Sequence, residues 1–84
     1  RYPDAARRAG FEGTAYVRIL VAPSGRVERA GVDASSGHDA LDRAAVEAVR
    51  RWRFEPLPLP TGAPGVWARI PVSFRLHDTE GRSR

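Results

Sequence analysis

From residue 14 to residue 22, apolar and polar positions alternate. Ala15, Val17, Ile19 and Val21 fall on one face, and Tyr16, Arg18 and Leu20 on the other. A period of two predicts a strand. The same period returns, more cleanly, near the end of the chain. There Val66, Ala68, Ile70, Val72, Phe74 and Leu76 face one way, and Trp67, Arg69, Pro71, Ser73 and Arg75 the other. Between these two strands lies a third, Val27 to Ala34. Its apolar set changes parity, from Val27 to Ala30, Val32 and Ala34, which predicts a bulge near Glu28–Arg29. Pro23-Ser24-Gly25-Arg26 reads as the tight turn joining the first two strands, with Gly25 free to take positive φ.

Helical spacing marks two further segments. Tyr2 to Gly10 predicts a short helix, with Pro3 at its first position, Asp4 against the positive end of the dipole and Gly10 as the left-handed stop. Leu41, Ala45, Ala48, Val49 and Trp52 recur along one helical stripe, with Arg43, Glu47, Arg50 and Arg51 off it. Ser36 followed by Asp39 resembles a capping box, and Glu47 with Arg51 forms an i,i+4 pair of favourable orientation. Pro56 must end this helix, and Leu57 to Gly65 reads as a stiff connector with no helix or strand.

The order is therefore helix, strand, strand, helix, strand. An α+β fold follows: a three-stranded antiparallel sheet in the order 2-1-3, with both helices on one face. The third strand becomes an exposed edge, and Pro71 agrees, because proline inside a strand is tolerated mainly where its missing N–H faces an open edge. Along such a strand, residues two apart turn their backbone groups the same way. If Pro71 faces the edge, so do Arg69, Ser73 and Arg75.

With 84 residues there is room for one domain, residues 1–77, followed by a polar tail over 78–84. The hydrophobic share of 42% and charged share of 29% are those of an ordinary globular domain. No apolar run approaches the roughly 18 residues a membrane helix requires. There is no cysteine, hence neither a disulfide nor a thiolate metal site. The net charge is +4 and all 14 basic residues are arginine, which points to a coding bias more than to a phosphate-binding design.

Candidate chemistry is sparse. Ser35, Ser36, His38, Asp39 and Asp42 include the members of a hydrolase triad, but packed into the start of one helix they cannot readily reach its geometry. Ser and Asp there are natural caps. His38, Asp39 and Asp42 offer too few ligands for a metal, and no glycine-rich phosphate loop exists. The chain is expected not to be an enzyme and to carry no cofactor. Arg50-Arg51-Trp52-Arg53-Phe54 interleaves basic and aromatic residues as single-stranded nucleic-acid binders do. The simpler reading makes Trp52 and Phe54 core anchors at the helix end, and no nucleic-acid partner is expected. An open edge strand is a template for a foreign strand, although the pattern alone leaves open whether it is a docking edge or a protected one.

A series of motifs then decides between them. Tyr2-Pro3, Ala5-Ala6, Glu12-Gly13, Pro23-Ser24-Gly25-Arg26-Val27, Ser35-Ser36-Gly37, Leu41-Asp42, Arg51-Trp52-Arg53-Phe54-Glu55-Pro56 and Ile70-Pro71-Val72-Ser73-Phe74 follow one another over residues 2–76. In this order and spacing they resemble the C-terminal domain of the TonB family. The resemblance implies a periplasmic domain, anchored in the inner membrane through an N-terminal helix that is not among these residues. Such a domain captures the TonB box of outer-membrane TonB-dependent transporters as a strand beside its own last strand. ExbB and ExbD couple the full protein to the proton-motive force, for uptake of siderophores, vitamin B12 or other nutrients. A homodimer is a further possible state, and the alternative within the resemblance is a TolA-like periplasmic adaptor not coupled to transport. The candidate partner-peptide-binding residues are Arg69, Pro71, Ser73 and Arg75, with Tyr2 of the Tyr-Pro motif.

Overall fold

The alternation of the first strand becomes the centre of the molecule. In a computed structural model, which describes residues 2–76, the elements are α1 (Asp4–Ala9), β1 (Gly13–Val21), β2 (Val27–Ala34), α2 (Asp39–Arg50) and β3 (Val66–Phe74). The strands form one antiparallel sheet in the order β2-β1-β3. The expected boundary at residue 77 and the tail over 78–84 lie outside the described residues.

Ala15, Val17 and Ile19 are fully buried and Val21 nearly so. They meet Leu41, Ala45 and Val49 of α2, Ala6 of α1 and Phe74 of β3 in one core. Both helices thus lie on one face of the sheet, and the other is left to Tyr16, Arg18, Trp67 and Arg69. In so small a domain each large core side chain matters, because burying one contributes about 1.5–3 kcal/mol. Gly10 ends α1 at φ 77°, and its N–H and that of Phe11 return to the last turn of the helix. Pro3 caps α1, one position earlier than its sequence reading.

The predicted bulge is present at Glu28: Leu20 pairs with Arg29 and Val21 with Val27, which leaves Glu28 without an opposite residue. A second bulge, not foreseen, leaves Asp33 unpaired between Val17↔Val32 and Tyr16↔Ala34. Val32, grouped with the apolar face, is 42% exposed because β2 is an outer strand.

Four expectations for α2 and its C-terminal end need correction. The helix ends at Arg50, so Trp52 leaves the helical stripe before it can reach the core. Trp52 is 40% and Phe54 37% exposed, their rings 6.2 Å apart at the surface, so neither is a core anchor. The capping box does not form, since the backbone cap is His38 and Ser36 bonds Asp42, not Asp39. Glu47 and Arg51 make no ion pair; among the described residues the ion pairs are those of Arg18 and Arg69 with Asp33.

Beyond α2 the chain runs along the β1–β2 turn. Arg53 bridges Arg26, the Phe54 N–H donates to the Gly25 carbonyl at 2.8 Å and the Leu57 N–H to that of Pro23 at 2.8 Å. The connector from Leu57 to Gly65 then holds neither helix nor strand.

Candidate partner-binding edge

β3 runs beside β1 over its whole length, and its other side is the margin of the sheet. In the register, Phe74 stands opposite Gly13, Ser73 opposite Thr14, Pro71 opposite Tyr16 and Arg69 opposite Arg18. Antiparallel pairs alternate between those that exchange backbone hydrogen bonds and those that do not. Proline has no N–H to exchange, so Pro71 and Tyr16 form a non-hydrogen-bonded pair. By the same alternation so do Ser73 with Thr14 and Arg69 with Arg18. Side chains stand closest in such pairs, and the hydroxyls of Thr14 and Ser73 lie 2.9 Å apart. The backbone groups of Arg69 and Ser73 therefore turn away from β1, toward the margin.

Arg69, Pro71, Ser73 and Arg75 are all exposed, Arg75 just past the end of β3. Arg69 does not extend outward. Its guanidinium lies 4.2 Å over the Tyr16 ring, and its Nε donates to Asp33 Oδ2 at 2.7 Å. Arg18 Nη1 stands 3.7 Å from the other Asp33 oxygen and covers the Trp67 ring at 5.7 Å.

Tyr2 stands apart from that set. Its ring meets Phe74 edge-on at 5.3 Å, on the helix side of the sheet, and its hydroxyl donates to the Phe11 carbonyl. Burial, followed by the charge of Glu12, raises its hydroxyl above the usual range, with Arg7 opposing. The structure thus brings Arg69, Pro71 and Ser73 into one row and leaves Tyr2 behind it. Sequence reading passed over the open-face neighbours Arg18, Tyr16, Trp67 and Asp33. Strand parity places the first three, but Asp33 reaches them only through its bulge.

The Ser–His–Asp group resolves into a hydrogen-bonded brace from the loop to Asp42 in the first turn of α2, and the expected side-chain cap on a helix N–H does not form. Ser35 Oγ donates to Asp42 Oδ2 at 2.5 Å, and the Ser36 N–H and Oγ donate to Oδ1 at 2.8 and 2.7 Å. Burial alone would raise the Asp42 carboxyl; the bonds from Ser35 and Ser36, with His38 nearby, hold it below its usual value. The His38 ring stacks on Phe11 at 4.1 Å, and Ser36 reaches only its backbone. No serine–histidine side-chain relay is assembled here. Among the described residues, no three His, Asp or Glu side chains gather to hold a metal.

These features define a small α+β module with one long strand left open at the margin of its sheet, a shape that can accept an extended chain. A family model described as Gram-negative bacterial TonB protein C-terminal matches residues 1–76, and the chain belongs to that family. It is 43% identical over 76 residues to protein tonB2 of Pseudomonas aeruginosa, covering 90% of this chain and 28% of that protein. It is 37% identical over 77 residues to protein TonB of Vibrio cholerae, covering 92% and 28%. The solution structure of the Helicobacter pylori TonB C-terminal domain matches with a TM-score of 0.66 at 30% identity, over 90% of this chain and 79% of that one. The chain thus spans about a quarter of the length of the curated relatives. Members of this family are not enzymes, and neither is this chain.

Proposed function

We propose that the chain is the periplasmic receptor-binding domain of a TonB-type energy transducer. It captures the TonB box of outer-membrane transporters by adding that segment as a fourth strand along β3. The observation that carries this reading is the open side of β3, with Pro71 paired to Tyr16 so that the outward groups are those of Arg69 and Ser73. A partner strand would bond mainly to the main chain of Ser73 and Arg75, with Arg69 beyond a gap at Pro71. In the full protein, an inner-membrane anchor with ExbB and ExbD would supply proton-motive force for uptake of siderophores, vitamin B12 or similar nutrients. The capture step belongs to this domain alone.

An amide NMR titration with a short receptor peptide containing a TonB box tests the reading. Shifts concentrated over residues 69–76 are the expected result. A flat titration across several such peptides would reject strand capture at β3.

A further inference from the structure

On the open face of the sheet, Arg18 of β1 and Arg69 of β3 are direct partners in the ladder. Like charges placed directly opposite each other destabilise a strand pair. Asp33 moderates the repulsion, bonding Arg69 at 2.7 Å and standing 3.7 Å from Arg18. Two cations share one carboxylate, so the cluster keeps one uncompensated positive charge. All three side chains are solvated, at 59%, 55% and 33% exposure for Arg18, Arg69 and Asp33. Ion pairs this exposed are weak and readily exchanged. Arg69 is also the member rooted in the edge strand, and it reaches Asp33 only by crossing back over Tyr16.

We propose that Arg69 selects, among strands added along β3, those that carry a carboxylate on the open-face side. The proposal rests on the strand-addition reading above. Side chains of an added strand fall within cross-strand reach of Arg69, in the stretch between Trp67 and Pro71. Arg69 turns from Asp33 to the incoming carboxylate, and Arg18 stays to neutralise Asp33. Two arginines then face two carboxylates and the excess charge is gone. A neutral or basic side chain at that place leaves the excess uncorrected, so selection there is by charge.

The 84-residue chain is titrated at low salt with extended peptides of alternating Thr and Val, identical except for Glu or Gln at successive open-face positions. With β3 amide shifts as the signal, the best-placed Glu peptide should bind about threefold more tightly than its Gln twin, as an exposed ion pair allows. Salt of about 0.5 M should erase the difference. Arg69→Gln should erase it too, and Asp33→Asn, which frees Arg69 from its resident partner, should widen it. Equal affinity for every Glu and Gln pair, or discrimination that survives Arg69→Gln, overturns the proposal and leaves strand addition standing. Absence of β3 shifts with any peptide overturns both.

Discussion

Pro71 stands opposite Tyr16 in the β1–β3 ladder, where the proline's missing N–H withdraws nothing from the sheet. Ser73, two residues on, occupies the same kind of position opposite Thr14. Ser73→Pro should therefore leave the fold intact, at the loss of one exposed hydroxyl contact, yet remove the N–H that a partner strand needs. Peptide affinity should fall more than tenfold while the amide spectrum of the core is retained. Unchanged affinity would reject the proposed register.

Asp42 is 8% exposed and accepts three hydrogen bonds from Ser35 and Ser36. Asp42→Ala would strand those donors and should cost about 1–3 kcal/mol, measured by urea unfolding. The folded carboxyl is held below its usual 3.8, so its stabilisation is complete above about pH 4 and disappears as pH falls through the lowered value. Stability of the wild type should decline through that acid range, and the Ala variant should decline less steeply.

Gly25 and Gly10 both have positive φ, at 95° and 77°, but their surroundings differ. A Cβ on Gly25 would stand 1.9 Å from the Phe54 carbonyl oxygen, whereas one on Gly10 meets nothing within 4 Å. Gly10→Ala should cost about 1 kcal/mol, from the left-handed conformation alone. Gly25→Ala should cost at least about 2 kcal/mol more, because the backbone after α2 must move off the β1–β2 turn. Thermal melts of the two variants make the comparison, and equal losses would contradict it.

Leu41 is fully buried between α2 and β1 in the core. Leu41→Ala should lose about 2–5 kcal/mol, a large share of the stability of a domain this size. Chemical unfolding reads the loss, and a cost below about 1 kcal/mol would mean the core collapses around the gap.

Sequence alone determined the elements whose patterning is local. The alternation of Ala15, Val17, Ile19 and Val21 identified the buried central strand, and that of Ile70, Val72 and Phe74 identified the last one, because a strand's period is two wherever one face is covered. Pro71 marked the edge for an equally local reason, its missing donor. Tertiary structure decided what depends on residues distant in the chain. Trp52 and Phe54 carry the composition of core anchors, yet α2 stops at Arg50 and the following backbone docks on Gly25, which leaves both rings outside. Ser36 turned to Asp42 and not Asp39, a choice set by how the loop approaches the helix. Asp33 met Arg18 and Arg69 only because a bulge placed it on the open face, and register between strands separated by a helix and a long connector is written in no short stretch of sequence.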